Sequence, residues 1–225
     1  MAVDTALVEE IVRQILAAKQ NTRQENEEKP APESDFPIIP VGVSARHVHL
    51  CRKDMDTLFG PGSELTPVKD LMGGQYAAKE QVTLIGPSLR PIEKVRVLGP
   101  LRRQTQVEIS ATDTFVLKVK PPVRPSGDIR GSAGITIVGP KGVVKLEEGC
   151  IIANRHIHMP PADAQRFHVK DGEYVNVLAE GARRTMLYGV QIRVSPEFTL
   201  EMHIDTDDAN AIGFQDKTEV TMLKR

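Results

Sequence analysis

The apolar positions of this chain change period once. Between Val3 and Lys19 they fall at helical spacing, as Leu7/Val8, Ile11/Val12 and Ile15/Leu16, with Glu9, Glu10, Arg13 and Gln14 on the other face. One such stripe predicts an amphipathic helix over residues 1–20. Residues 21–35 are polar, charged and proline-bearing with no apolar period, which predicts a disordered linker. A short helix on a flexible tether is marginal in water. It reads either as a docking tag that lies in a partner's groove or as a helix packed on its own domain, and the intervening linker favours the tag.

From Phe36 onward the period is two. Pro37–Val43, Gln81–Ile85, Ile92–Leu98, Gln106–Ser110 and Phe115–Val119 alternate as strands do. Ile135–Gly139 and Val143–Leu146 read as a hairpin. Cys150–Ala153, Val169–Ala179, Met186–Val194, Glu201–Ile204 and Thr218–Leu223 add further strands. Short helices are expected at Lys53–Phe59, closed by Gly60-Pro61-Gly62, and at Ala162–Phe167, opened by Pro160 or Pro161. Many short strands with Gly and Pro between them predict a mainly β protein with short helices, built as compact β-barrels.

Composition narrows the picture little. At 225 residues the chain holds one domain or two small ones. Aromatics are 4% with no Trp, so the core must be aliphatic. A net charge of −1 provides no field for nucleic acid or an anionic membrane. Two cysteines, Cys51 and Cys150, are too few for a disulfide framework and read as inert thiols. No apolar run reaches the roughly 18 residues of a membrane span, and the N-terminus lacks a secretory signal pattern, so an intracellular protein is expected.

Candidate chemistry sits in a phrase written twice. Ser44-Ala45-Arg46-His47-Val48-His49-Leu50 is matched by Ala153-Asn154-Arg155-His156-Ile157-His158-Met159, and these hold four of the six histidines. Alternate strand residues share a face, so each His-x-His pair can reach one ion. A single His-x-His is a weak signal; two in matching context predict an internal duplication with metal at its centre. Glu108, between Val107 and Ile109, and His203, between Met202 and Ile204, stand on a late strand of each half. His47, His49 and Glu108 form one expected ligand set, and His156, His158 and His203 the other. His168 reads as surface. Nitrogen and carboxylate donors suit Zn²⁺, and three ligands leave a fourth position open, as in catalytic zinc sites. Arg46 and Arg155 next to the ligands suggest a strongly positive pocket for an anionic substrate. Arg102 and Arg103, on a turn shortly before Glu108, read as an anion site or as a solvated basic turn. No nucleophile elbow, Walker A loop or Cys-x-x-Cys pair is present.

The segments PVGVSARHVHL (40–50), LGPLRRQTQVEIS (98–110), IIANRHIHM (151–159) and LEMHIDTDDAN (200–210) resemble the phosphate propanoyltransferases of bacterial microcompartments. The resemblance runs from about Pro37 to the end of the chain. It implies two β-barrel domains with a dizinc active site between them, one of residues 36–46 plus 155–225 and the other of residues 47–154. It implies interconversion of propanoyl-CoA plus phosphate with propanoyl phosphate plus CoA. By motif position the zinc ligands are the six residues above and the phosphate-binding arginine is Arg102. CoA contacts are implied at Val43, Ser44, Ala45, Arg96 and Asn210. The N-terminal helix and linker resemble encapsulation peptides, which implies binding to shell proteins and a place in the lumen of a microcompartment concerned with 1,2-propanediol-type metabolism. A homo-oligomer is compatible with the sequence. Competing readings are a dizinc hydrolase of an anionic ester and a non-catalytic metal-binding shell component.

Overall fold

A computed structural model of the chain describes residues 37–223; the expected helix and linker at 1–35 lie outside these residues. The strands run as β1 (Ile38–Val43), β2 (His47–Cys51), β3 (Pro67–Asp70), β4 (Tyr76–Ile85), β5 (Pro91–Arg102), β6 (Gln106–Glu108) and β7 (Val123–Arg124). They continue as β8 (Ala133–Val138), β9 (Val143–Ala153), β10 (His156–Met159), β11 (Tyr174–Ala179), β12 (Thr185–Val194), β13 (Glu201–Ile204) and β14 (Glu219–Leu223). Four short helices intervene: α1 (Arg52–Phe59), α2 (Ala111–Leu117), α3 (Pro161–Phe167) and α4 (Thr206–Ile212).

The strands close into two six-stranded barrels. One, the His156 barrel, has the order β1-β13-β10-β12-β11-β14. The other, the His47 barrel, runs β9-β6-β2-β5-β4-β8, closed by the β8 pairings to β4 and β9. The two orders are the same order. β2 lies parallel to β5 and antiparallel to β6, as β10 lies parallel to β12 and antiparallel to β13. β6 is parallel to β9, as β13 is parallel to β1. β9 therefore holds in one barrel the place that β1 holds in the other. Yet β1 leads directly into β2, and β9 into β10. Each repeat thus contributes its first strand to the barrel of its partner repeat.

Alternation decides which face each histidine takes. Val48 and Leu50 are fully buried in one core, among Leu84, Val97 and Ile137. Ile157 and Met159 are fully buried in the other, with Val177, Ile192 and Met202. Burying each such aliphatic side chain contributes about 1.5–3 kcal/mol, and a one-residue slip would turn all of them outward. The histidines between them must then face away from the barrel interiors.

Two segments depart from the expected elements. Phe115–Val119 is not a strand: residues 111–117 form α2, capped by Ser110. The Ser110 side chain accepts from the Asp113 backbone amide and the Asp113 carboxylate accepts from the Ser110 amide, a reciprocal cap. That start signal outweighs the β preference of Phe115 and Val116. Residues 206–212 form α4, capped by Asp205, whose carboxylate accepts from the amides of Asp207 and Asp208. Both helices follow the strand that carries the third expected ligand, so the duplication extends further than the His phrases.

Candidate active site

Each half presents its histidines in the same way. The His47 Nδ1 donates to the Ala45 carbonyl at 2.9 Å, and the His156 Nδ1 donates to the Asn154 carbonyl at 2.9 Å. A carbonyl only accepts, so the proton sits on Nδ1 and Nε2 keeps a lone pair. The second histidine differs: Nδ1 of His49 and Nδ1 of His158 are buried without a hydrogen-bond partner. Buried polar atoms are rarely left so. The third members come from the antiparallel neighbours, with Glu108 in register with His47 and His203 in register with His156.

These contacts assemble two clusters, His47–His49–Glu108 and His156–His158–His203, with donor atoms in each within 4.8 Å of one another. The rings of His47 and His49 lie 4.9 Å apart, and those of His158 and His203 4.7 Å apart. His47 Nε2 faces Glu108 Oε2 at 3.5 Å. Two lone pairs facing each other need a proton or a cation between them. The orphaned Nδ1 atoms and this facing pair fit a metal ion in each cluster, and nitrogen and carboxylate donors suit Zn²⁺ among others.

Electrostatics agree with that fit. Burial pushes His49 down to about 3, His156 down to about 4 and His158 down to about 2. All three are neutral, ligand-competent imidazoles near pH 7. Burial also lowers His47, but the charge and hydrogen bond of Glu108 outweigh it and the net shift is upward. Burial raises Glu108, yet the His47 charge and hydrogen bond, with help from His49 and Ser126, hold it well below the usual carboxylate range.

Stability of the metal-free protein should therefore depend on acid. The three depressed histidines stay neutral in the fold but take protons in the unfolded chain below its ordinary value of 6.5. Stability then falls as pH drops from about 6.5 toward 4, by of order 1 kcal/mol per pH unit for each histidine, partly offset by His47. Urea unfolding of chelator-treated protein should show a lower midpoint at pH 5 than at pH 7.5; equal midpoints would contradict the burial described.

The arginines of the two phrases correct an expectation. Arg46 and Arg155 do not leave the pocket strongly positive, because each is neutralised by the helix that follows the strand carrying its half's third candidate ligand. Arg46 binds Asp113 through Nε at 2.8–2.9 Å and through Nη2 at 2.7 Å. Arg155 Nη1 binds Asp208 at 3.0 Å. Asp113 and Asp208 had no signal in the phrases themselves. The two helices are also joined directly, since the Thr112 amide and hydroxyl donate to Asp207 at 2.8 and 2.5 Å.

A cleft between the barrels is lined by Ser44, Ala45, Arg46, Glu108 and Ser110 on one side and by Asn154, His156, His203 and Thr206 on the other. Ser44 and Ala45, two of the expected CoA contacts, therefore border both clusters. Val43, Arg96 and Asn210 do not line this cleft. Val43 ends β1 and is 37% exposed. Arg96 lies in register with His47, and its Nη1 donates to the carbonyls of Ala78 and Lys79 at 2.8 and 3.2 Å. Asn210 is exposed on α4. His168 is exposed at the end of α3, as expected.

Arg102 ends β5 and is half-buried, and its closest partners are neutral: Ser126 Oγ and Gln75 Oε1, each at 3.3 Å. Burial lowers its pKa, Glu108 pulls it back up, and Arg193 pushes it down again, for a net decrease. Ser126 also donates to Glu108 Oε1 at 2.8 Å and accepts from Gln106 Nε2 at 2.9 Å, while Gln106 Nε2 donates to Glu108 Oε1 at 2.6 Å. One hydroxyl thus links a candidate ligand to a candidate anion-binding group. Reading the sequence had missed Ser126 and Gln75, which lie far along the chain from Glu108.

Glu201 was also missed. Its Oε2 accepts from His203 Nε2 at 3.0 Å, which leaves Nδ1 as the lone-pair nitrogen of His203. Gly42, in register with His203, makes room for it: a Cβ there would stand 2.7 Å from Glu201 Oε1. The spacing Glu201-x-His203 on one strand was its available signal. Phe198 packs on His158 with ring centroids 4.1 Å apart, and a Cβ on Gly73, whose φ of +67° few side chains tolerate, would stand 3.2 Å from the Phe198 ring.

Comparison with known proteins adds independent support. The sequence model of the phosphate propanoyltransferase family matches residues 40–215. A phosphate propanoyltransferase of Lachnoclostridium phytofermentans is 54% identical over 96% of this chain and 98% of its own. One from Thermotoga maritima is 60% identical over 78% of this chain and 84% of its own. One from Rhodobacter capsulatus is 49% identical over 97% of this chain and 98% of its own. The twofold His-x-His frame and these matches over most of the chain place it in a single group: the chain belongs to the phosphate propanoyltransferase family.

Proposed function

We propose that the chain is a phosphate acyltransferase that interconverts propanoyl-CoA plus phosphate with propanoyl phosphate plus CoA. The observation that carries this reading is that two three-ligand clusters border one cleft while an arginine without a carboxylate partner, Arg102, stands next to the ligand Glu108 through Ser126. The relatives' names supply the substrates. The hydrolase and shell-component readings have no observation of their own in their favour.

His47, His49 and Glu108 would hold one Zn²⁺, and His156, His158 and His203 the other. Bound there, such ions supply Lewis-acid stabilisation of a thiolate and of phosphate oxygens. The protein's own groups do the remainder. Arg102 binds the phosphate and offsets the negative charge that develops on the thioester oxygen. Ser126 and Gln75 hold the Arg102 guanidinium in place without neutralising it. Ser44 and Ala45 carry CoA along the cleft, with Val43, Arg96 and Asn210 as further contacts.

The reaction runs by direct displacement. A phosphate oxygen attacks the thioester carbon, the C–S bond breaks, and CoA leaves as a thiolate that takes a proton from solvent. No acyl-enzyme is required. Of the two thiols, Cys150 is fully buried and burial pushes it up to about 12, which makes it a poor nucleophile.

Residues 36–46 with 155–225, and 47–154, serve as the two domains of this enzyme. Residues 1–20 serve as an encapsulation tag that binds shell proteins and places the enzyme in a microcompartment lumen; the resemblance of the helix-plus-linker pattern supports this.

Thiol release from propanoyl-CoA tests the central reading. Release should require inorganic phosphate and should stop when a chelator removes metal. Release without phosphate would establish a hydrolase, and no release from metal-loaded protein would establish a non-catalytic role.

A further inference from the structure

Of the arginines around the ligand strands, Arg96 is held by the backbone carbonyls of Ala78 and Lys79, and four others divide into two kinds. Arg46 and Arg155 are paired with Asp113 and Asp208. Arg102 touches only neutral oxygens. Arg193, on β12, forms no ion pair and no side-chain hydrogen bond among the described residues.

Its position is set by register. β12 runs parallel to β10 with Arg193 beside His158 and Gln191 beside His156. Residues in register on neighbouring strands project from the same face. Ile157, Met159 and Ile192 are fully buried and occupy the core face. His158 and Arg193 therefore share the opposite face, the one that holds the His156 cluster. Arg193 is half-buried there. Its positive charge is felt at Arg102, which belongs to the other barrel, as well as at His156 and His158.

Arg102 stands next to Glu108 through the shared Ser126 hydroxyl and Arg193 stands beside His158, so each barrel sets one guanidinium without a carboxylate partner against its own ligand cluster, and the two charges repel each other in a partly desolvated site. An anion between them reverses the sign of that interaction. Arginine is suited to this because its planar fork matches phosphate oxygens. We propose that Arg193 binds the same phosphate as Arg102, so that the anion is gripped by one arginine from each barrel. The pairing divides labour among the four arginines: Arg46 and Arg155 fix the helices, and Arg102 and Arg193 hold the substrate. It also makes the phosphate site depend on both barrels.

This inference rests on the acyltransfer reading, and its test separates the two. Arg193→Gln and Arg193→Lys would be compared with the unaltered full chain, all metal-loaded. Arg193→Gln should raise the phosphate KM about 10- to 100-fold, the effect of losing a charge-assisted contact. The KM for propanoyl-CoA should stay within about twofold, and Arg193→Lys should recover part of the loss. Metal content and thermal midpoint without phosphate should match the unaltered protein. Added inorganic phosphate should raise the thermal midpoint of the unaltered chain and raise that of Arg193→Gln much less, a readout that needs no turnover. An unchanged phosphate KM would overturn the proposal. A rise confined to the propanoyl-CoA KM would overturn it too, by assigning Arg193 to the phosphates of CoA. Loss of metal or of thermal stability in Arg193→Gln, with no deficit in phosphate binding by Arg193→Lys, would make the residue structural and equally overturn it. If the unaltered, metal-loaded chain shows no phosphate-dependent turnover, the acyltransfer reading fails, while the phosphate-induced thermal shift still judges Arg193.

Discussion

Replacing Glu108 with alanine should cost one of two bound metal ions and more than about 10²-fold in activity. Loss of a partner that merely orients a ligand already costs 10- to 100-fold, and Glu108 is the only carboxylate in its cluster. Its removal leaves two histidines, which do not make a stable site alone. It also removes one of the two acceptors of Gln106 Nε2, which donates to Glu108 at 2.6 Å, and the acceptor of the Ser126 hydroxyl at 2.8 Å. The second cluster shares no ligand with the first, so metal content should fall from two to about one rather than to zero. Elemental analysis after dialysis reads this directly. Two ions retained at full activity would remove Glu108 from the metal site. Glu108→Gln separates charge from shape, because the amide keeps an acceptor for Ser126 while losing the negative charge.

Arg102→Ala should have the next largest effect, a fall of about 10²–10³-fold in kcat/KM for phosphate. The side chain is half-buried at the end of β5 and stands between Ser126 and Gln75 at 3.3 Å each. Neither neighbour is charged, so the variant strands no buried carboxylate and should keep its stability and both metal ions. That distinguishes it from Glu108→Ala, which fails through metal loss. Initial rates at varied phosphate and at varied propanoyl-CoA discriminate the outcomes. Equal losses for both substrates would place Arg102 in general support of the site, and unchanged phosphate kinetics would contradict its role outright.

The six candidate ligands were legible in the sequence because the information is local and repeated. A strand puts i and i+2 on one face whatever surrounds it, so His47-x-His49 and His156-x-His158 had to present paired imidazoles. Apolar neighbours did the same for Glu108 and His203. The two helices after those strands were legible in principle from Ser110-x-x-Asp113 and from Asp205. At 115–119, however, the alternating apolar residues Phe115, Leu117 and Val119 suggested a strand, and a reciprocal cap decided for a helix. Phe115 remains 70% exposed on that helix, outside any strand face.

The charge state of the site was not legible. Arg46 and Arg155 sit beside the ligands in sequence and are spent on Asp113 and Asp208. Arg193 carried no signal and lies beside His158 by strand pairing alone. Whether an arginine is free or neutralised depends on what stands across from it, 67 residues away for Arg46 and Asp113. Period and composition do not contain that information.

By itself, then, the sequence determined most strand periods, the duplication and the two candidate ligand sets, since each follows from side-chain direction along a few residues of extended chain. That each repeat lends its first strand to the other barrel was implied by the family resemblance, but no local period contains it, and the pairing of β1 with β13 and of β9 with β6 is what sets it. The tertiary structure alone decided that Ser126 and Gln75 meet Arg102, and that Arg46 and Arg155 are paired with carboxylates while Arg102 is not. These depend on pairings between distant segments, where register and burial, rather than local preference, set which groups meet.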